Sequence, residues 1–549
     1  MRVWVILVFI AALLVGCQVS SDTPKATPVP PTPETNTGSA PRVTPTPFPT
    51  ANLPPVQSPA WARNAVMYQI FVRSFYDSNG DGVGDLNGIT QKLDYLKDLG
   101  VTVIWLTPIF ESPSYHGYDT IDYYKIQPEF GTREDLIRLV AEAHKRDIRV
   151  LLDYVVAHTS NQHPYFKDAF GNPASQYSEF YRWTNDQHTT YEGFAGLKEM
   201  PTLNHKSEAV QKYLIDIAKY WLDLDGDGNY KNGVDGLRAD YVLNAPHEFW
   251  KRLRQEIKAV NPDALLLAEA WQGNVRQIEP YLEDEFDAVF DFPLYSSLQG
   301  SPDKVGDGVL PGAVNPGMMA IDLVAPTLFY PPGAISVGFI NNHDTNRAMS
   351  DFKGDVARAK TAATFLMTAP DTPIVYYGEE IGMQGVKGPE GVWDITRREP
   401  MDWYAAEAGQ GMTTWWKEPS RNNKAADGVS VEEEQGKADS LLEHYRTLIK
   451  LRRNSQALQS GRVEPIKVTD NDRVFAFVRR TDAEAVLTVL NFGNDPAQLT
   501  LDLSQTGLTA AAYAATDALT GKAVGDLKPP SYDVQLPAAG GQVLLLKAK

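Results

Sequence analysis

The sequence has a single cysteine, Cys17, in 549 residues, which excludes a disulfide scaffold and any cysteine-rich zinc or iron–sulfur site. It has no excess of basic charge. The formal net charge is −18, so no cationic stripe dominates, and no nucleic-acid partner is expected. Beyond the N-terminus it has no apolar run long enough to span a bilayer. What remains is a globular composition, 43% hydrophobic and 22% charged, with length for several cores. Eleven Trp and 25 Tyr supply flat faces that suit sugar stacking, although most such residues serve ordinary packing.

Arg2 precedes an apolar run from Val3 to Val15 that ends at Gly16-Cys17. The run is short for a membrane span and has the layout of a secretory signal. Leu14-Val15-Gly16-Cys17 resembles a bacterial lipobox, which implies cleavage before Cys17 and lipidation of its thiol. A plain signal peptide with an incidental cysteine is the alternative. Residues 1–17 are therefore expected to be a lipoprotein signal, and residues 18–58 a Pro/Thr-rich tether. Twelve of the 38 prolines lie between Pro24 and Pro59. Such a segment buries too little apolar surface to fold and, extended, reaches roughly 100 Å. The expected location is outside the cytoplasm, lipid-anchored to the cell membrane or secreted, and the expected state is a monomer.

From Trp61 the pattern changes. Short apolar runs at 66–74, 101–108, 149–156, 234–239, 264–269, 288–293, 336–341 and 373–377 alternate with helical periodicities such as 89–99, 133–145, 208–222, 246–260 and 440–453. Buried β-runs alternating with helices point to a parallel sheet. Eight such units predict an α/β fold, a (β/α)8 barrel over 61–455. The polar, aromatic stretch 161–205 reads as a small insert domain after the third strand. Residues 456–549 turn β-rich, with Gly and Asn turns, and read as a C-terminal antiparallel β-sandwich domain.

Barrels of this kind carry function at the C-terminal ends of their strands. The third run ends in Asp153–His158, the fourth in Gly236-Leu-Arg238-Ala-Asp240, the fifth in Glu269, and the seventh is followed by Asn342-His343-Asp344. Asp240, Glu269 and Asp344 thus converge on one mouth with His158, His343 and Arg238. This is the equipment for retaining glycoside cleavage, in which one carboxylate attacks the anomeric carbon and a protonated carboxyl serves the leaving oxygen. Arg238 shares a strand face with Asp240 and would keep it ionised and oriented. Glu269 must instead hold a raised pKa to remain a proton donor. Barrel-mouth ion pairs without chemistry are the bland reading, and the number of motifs in order argues against it.

These segments resemble the α-amylase superfamily of glycoside hydrolases from about Trp61 to the end. The matching regions are Asp153–His158, Gly236–Asn244, Leu267–Trp271, Phe339–Asp344 and Met200-Pro-Thr-Leu-Asn204. The resemblance implies Asp240 as nucleophile, Glu269 as acid/base and Asp344 as transition-state stabiliser. It implies that Arg238, His158 and His343 contact the sugar and that Tyr118, in His116-Gly117-Tyr118-Asp119, stacks beneath it. Asp394 and Arg398 resemble a pair that grips the next sugar. There are departures. Ala157 stands where the family usually has a calcium-binding asparagine, and Thr202 replaces a common aspartate. Leu243-Asn244 replaces a Lys-His pair on the leaving-group side, and Asn244 is closer to oligosaccharide-acting members.

Asp77-Ser-Asn79-Gly-Asp81-Gly82-Val-Gly-Asp85 places oxygens at alternate positions with Gly at the sixth, the spacing of a loop that wraps a hard cation. The same resemblance implies a calcium loop there. Asp223-Leu-Asp225-Gly-Asp227-Gly-Asn229 has similar spacing without an acid at its twelfth position, Val234. A solvated acidic turn would look the same. Any calcium is expected to be structural, and no organic cofactor is expected. The expected activity is α-amylase-type hydrolysis of α-1,4-glucosidic bonds in starch-like glucans. The alternatives are an α-glucosidase or cyclomaltodextrinase, a trehalose-synthase-like transglycosylase, and a non-catalytic glucan-binding relative, the last disfavoured by the three carboxylates.

Overall fold

The computed structural model describes residues 54–230, 232–300, 306–416 and 421–549. The expected signal peptide with Cys17, and the tether up to residue 53, lie outside the described residues. Eight apolar runs form parallel strands: β1 (Met67–Ile70), β2 (Val103–Leu106), β3 (Arg149–Tyr154), β4 (Gly236–Ala239), β5 (Leu265–Ala268), β6 (Ala288–Phe290), β7 (Ile335–Gly338) and β8 (Thr372–Tyr376). Each pairs with its neighbours in chain order and β1 pairs with β8, closing a barrel.

Because side chains alternate along a strand, each run serves two cores. Met67, Val103, Trp105, Leu151, Leu265, Leu267, Ile335 and Val337 point inward and fill the barrel. Tyr68, Ile104, Val150, Leu152, Leu237, Leu266 and Val289 point outward under the helices. Those helices follow the strands as α1 (Leu86–Leu99), α2 (Arg133–His144), α3 (Glu208–Leu222), α4 (His247–Val260), the short α5 (Val275–Ile278), α6 (Met319–Phe329), α7 (Val356–Thr368) and α8 (Leu441–Asn454). α1 starts on Asp85, whose carboxylate accepts from the Gly88 amide, and ends on left-handed Gly100. α2 starts with a Thr132/Asp135 capping box.

Most strands stop earlier than expected, three of them by three residues or more, at Ile70, Phe290 and Gly338. The first leaves the sheet after Ile70, and Val72–Phe75 forms a buried helical turn. The sixth stops at Phe290, because Asp291 caps a helix over Phe292–Gln299 with Pro293 in its first turn. Residues 56–63 cross the N-terminal end of the barrel, where Ala62 and Ala65 join the inner core. The Val56 amide bonds Pro332 (2.8 Å), Ser58 Oγ bonds the Asp287 carbonyl (3.2 Å), and Arg63 bonds the Gly333 carbonyl (2.7 Å).

The stretch 161–205 has almost no regular structure. It carries a short helix, Pro164–Ala169, and isolated bridges such as His158 with Thr202 and Gly193 with Pro201. Aromatic packing organises it, including Tyr165 stacked on Tyr177 at 3.8 Å. The C-terminal region is antiparallel: β9 (Arg462–Ile466), β10 (Val474–Arg480), β11 (Ala485–Asn491), β12 (Ala497–Asp502), β13 (Tyr513–Asp517), β14 (Ala523–Leu527), β15 (Ser531–Leu536) and β16 (Gly540–Ala548). Six strands form one sheet in the order β9-β10-β11-β16-β13-β14, and β12 pairs with β15. Leu499, Leu501, Val534 and Leu536 of that pair pack on Val478, Leu487, Val489 and Leu544, which makes the sandwich. The opposite face of the larger sheet meets the barrel: Phe475 and Phe477 lie against Phe365 of α7. Among the described residues no helix is long and apolar enough to cross a membrane.

Candidate active site

The inward columns that fill the barrel turn polar at its C-terminal end. Gln69 follows Met67, Asp153 follows Leu151 and Glu269 follows Leu267, each by two residues and therefore on the same face. Arg238 lies between Asp153 and Leu267 in the strand register, and Asp240 continues its column. One alternation thus builds an apolar plug below and a charged site above.

Arg238 is fully buried and holds the site together. Its Nη1 donates to Asp153 Oδ1 at 2.9 Å and to Asp240 Oδ1 at 2.8 Å, while Nη2 pairs with Glu269. Its guanidinium lies 4.7 Å from the ring centre of Trp105, whose Nε1 donates to Asp153 at 3.2 Å. Tyr118 Oη donates to Asp153 Oδ2 at 3.1 Å and lies 2.5 Å from His343 Nε2, the two rings stacked at 5.5 Å. The Gln69 amide donates to His343 Nδ1 at 2.7 Å, so Nδ1 is the acceptor and the imidazole proton sits on Nε2. Burial pushes the His343 pKa down to about 3, which keeps the ring neutral.

The carboxyls are pushed apart in acidity. Burial raises Glu269 to about 8, and the neighbouring charges of Asp240 and Asp344 add to the rise against the pull of Arg238. Burial also raises Asp240, opposed by Arg238, and it lifts Asp153 to about 7. Asp344 differs. Burial pushes it up, but His343, Arg398, Arg238 and Arg397 outweigh that and hold it below the ordinary carboxylate range. Arg398 Nη2 donates to Asp344 Oδ1 at 2.9 Å and Nε donates to the His343 carbonyl at 3.0 Å. Asp394 accepts from Arg397 at 2.8 Å and lies 3.6 Å from Arg398.

Asp240, Glu269, Asp344, Arg238, His343, Tyr118, Arg398 and Asp394 therefore form one connected cluster. His158 borders it. Its Nε2 donates to the Tyr118 carbonyl at 3.0 Å, and its buried Nδ1 has no hydrogen-bond partner. Asn244 sits further out, its carbonyl accepting from Arg182 of the insert at 3.1 Å. Gln69, Trp105, Asp153 and Arg397 also belong to the cluster. The first three end inward columns and could have been read from alternation; Arg397 arrives on a loop that no period marks. Trp415 is a half-buried anchor, its Nε1 on Ser74 Oγ at 2.9 Å and its ring stacked on Tyr115 at 5.8 Å.

The two acidic loops differ from each other. In the first, Asp77 accepts from the Asn79, Gly80 and Gly82 amides, and Asp81 accepts from Val83. Asn79 accepts from the Asp81 amide, and Asp85 from the Ser78 and Gly88 amides. In the second, oxygens of Asp223, Asp225 and Asp227 lie within 4.8 Å of one another, and the buried Asp223 Oδ1 has no hydrogen-bond partner. Asn229 donates its amide to Asp227 at 2.6 Å. The Ala157 side chain is fully buried and offers no ligand oxygen.

The sequence pattern of the α-amylase catalytic domain matches residues 69–461. Alpha-amylase 3 of Dictyoglomus thermophilum is 34% identical over 448 residues, which cover 78% of this chain and 85% of that protein. A cyclomaltodextrinase of Geobacillus thermopakistaniensis is 31% identical over 484 residues, covering 82% of this chain and 72% of that protein. The crystal structure of the α-amylase from H. orenii superposes with a TM-score of 0.72 at 33% identity, over 88% of this chain and 99% of that one. On the barrel, the site at its mouth and these likenesses, the chain belongs to the α-amylase family and is a glycoside hydrolase.

Proposed function

We propose that the protein is a retaining glycosidase that cleaves α-1,4-glucosidic bonds of starch-like glucans and maltooligosaccharides. The observation that carries the reading is the sharing of one buried guanidinium by Asp240 and Glu269. Arg238 aims an Asp240 oxygen and stabilises its charge for attack on the anomeric carbon. Glu269, raised to about 8, carries a proton at neutral pH and gives it to the leaving oxygen. Attack forms a glycosyl ester on Asp240. Glu269 then takes the proton of the water that displaces this ester, which restores both groups. Asp344, held ionised by Arg398, faces the positive charge that develops on the sugar. Tyr118 offers a flat face to the same sugar, held in place by the Nε2–H of neutral His343.

A second reading keeps this chemistry and shortens the substrate, with α-glucosidase, cyclomaltodextrinase or trehalose-synthase-like transfer as the outcome. Asn244 and the likeness to a cyclomaltodextrinase favour it. A time course of soluble-starch digestion separates the two. Iodine colour collapsing before many reducing ends appear means internal cleavage. Reducing ends rising with colour retained means action on ends or short chains.

Calcium is proposed as a structural ion. The converging oxygens and orphaned Asp223 Oδ1 fit Asp223, Asp225 and Asp227 as ligands, with Asn229 beside them. Asp77, Asn79, Asp81 and Asp85 remain a candidate set; each accepts a backbone amide, as Asp223, Asp225 and Asp227 also do. Lipidation at Cys17 and an extracytoplasmic, membrane-anchored location stay proposals from the N-terminal motif. Globomycin-sensitive processing and labelling with a fatty-acid analogue test them.

A further inference from the structure

The long connection from β8 to α8 holds a carboxylate that its surroundings leave unmet. Asp402 is fully buried, and neither of its side-chain oxygens has a hydrogen-bond partner. Glu399, three residues earlier and equally buried, is served in full. Its Oε1 accepts from the Asn422 amide at 2.8 Å and from the Asn422 side chain at 2.9 Å, and its Oε2 accepts from the Asn423 side chain at 2.7 Å. Around Asp402 the donors go to the main chain instead. The Val431 amide donates to the Asp402 carbonyl at 3.0 Å, the Glu432 amide to the Trp403 carbonyl at 3.1 Å, and the Ala426 amide to the Ala405 carbonyl at 2.7 Å. These bonds lay two stretches of the loop side by side and send no donor to the carboxylate.

A second orphaned oxygen lies in the same loop. Glu407 Oε1 is buried and also lacks a hydrogen-bond partner. Its residue sits at φ 49, a left-handed conformation that non-glycine residues seldom adopt, and its amide bonds back to the Tyr404 carbonyl at 2.9 Å. Burial pushes Asp402 up to about 8, with the charges of Glu407, Asp427 and Glu433 adding to the rise and Arg421 opposing it. Asp427 and Glu433 are already engaged, the first by the Lys424 and Val429 amides at 2.8 and 3.0 Å, the second by the Gly428 amide at 3.1 Å and Ser430 Oγ at 2.7 Å. Arg421 stands off. It lies 3.5 Å from Glu407 Oε1 and 3.8 Å from Glu399 Oε2, and its Nε and Nη2 hydrogen-bond to neither. Both oxygens of Asp402 and one of Glu407 are thus buried without a donor, in the field of two further acids. A proton meets one such oxygen, whereas a cation meets all three.

We propose that Asp402 and Glu407 are the side-chain ligands of a buried divalent cation, calcium or magnesium, with water completing its shell. Hard cations take oxygen ligands, and one or two carboxylates plus water are enough for the smaller of the two. The ion fixes the turn that begins four residues beyond Arg398, whose guanidinium holds Asp344 at 2.9 Å. It differs in access from any ion at Asp223, where Asp225 and Asp227 are exposed. The oxygens of Asp402 and Glu407 are closed to solvent, so a chelator empties the exposed loop first and the buried ion leaves only when the protein unfolds.

The test counts metal in the full chain, purified from medium that contains both calcium and magnesium salts. The folded protein is treated with EDTA, desalted and then unfolded in guanidinium, and the metal released is measured by elemental mass spectrometry. About one equivalent per chain is expected to survive the EDTA step and to appear on unfolding, and its identity tells calcium from magnesium. Asp402→Asn and the more conservative Glu407→Gln should each lose that equivalent while keeping a cooperative melting transition, and Asp225→Asn should keep it. Retention of the metal in both Asp402→Asn and Glu407→Gln overturns the proposal. So does a wild-type protein that yields none, whose orphaned oxygens are then met by water or a proton. Loss only in an Asp402→Asn protein that no longer melts cooperatively also overturns it, because the metal then reports the fold, and loss in Asp225→Asn overturns it by assigning the ion to the exposed loop.

Discussion

The two ends of the barrel solve the problem of buried charge in opposite ways. At the N-terminal end Asp287 is fully buried and meets two cations, Arg254 and Lys258, at 2.8 Å each, and it also accepts the Leu266 amide. At the mouth a single buried Arg238 serves Asp153, Asp240 and Glu269. Asp287 is paired in full, and its pairs lock the start of β6 to α4. Around Arg238 one cation faces three carboxyls, so burial raises all three and Glu269, at about 8, keeps its proton at neutral pH. Stability and reactivity are thus separated along one axis of a single fold.

The contrast can be broken from either end. Asp240→Asn at the mouth is expected to lower turnover about 10⁵-fold or more with the melting temperature unchanged or raised, since one of three competing carboxyls is relieved; calorimetry beside kinetics decides. Glu269→Gln should lower turnover about 10²–10⁴-fold on maltooligosaccharides and far less on nitrophenyl glycosides, whose leaving group needs little protonation. Equal losses on both would count against the acid role. Asp287→Asn at the other end should behave inversely. It leaves two cations facing each other and is expected to cost about 3–5 kcal/mol of stability with kcat retained, measured by denaturant unfolding.

The pH profile sharpens the same contrast. Glu269 has a raised pKa of about 8, so the protonated form that donates is present below that value and lost above it. The rate should fall as pH rises through about 8, and Glu269→Gln should abolish that limb. A raised carboxyl pKa also means that the folded state loses stability as pH climbs from the unfolded value through about 8. The smallest expected effect belongs to calcium. Chelation should lower the melting temperature by a few degrees through Asp223, Asp225 and Asp227, and Asp225→Asn should remove most of that response; a protein stripped of metal but melting unchanged would refute the site.

Much of the mouth was legible because a strand has period two. Met67-x-Gln69, Leu151-x-Asp153 and Leu267-x-Glu269 each show an apolar plug residue followed on the same face by a polar one. The end of the sixth strand was also written in Asp291-Phe-Pro293, a cap and a first-turn proline. The acidic loops show where such reading stops. Asp77–Asp85 and Asp223–Asn229 share a spacing, and backbone amides bond carboxylates in both, but the second also keeps a buried oxygen, Asp223 Oδ1, without a donor. Competition between a chain's own amides and an outside ion depends on backbone angles, which spacing does not encode.

The way the chain enters the barrel has a mechanical consequence. Residues 56–63 are fastened to the N-terminal end by bonds to Pro332, Asp287 and Gly333 before the chain becomes β1. A pull on the chain ahead of Pro54 reaches those fastenings first, about 15 Å from the carboxylates by strand length. Should they yield, the load runs along β1, which is hydrogen-bonded on both sides to parallel neighbours. It then shears those bonds together instead of unzipping them one at a time, and the strands bearing Asp240 and Glu269 lie on the far side of the barrel from the load.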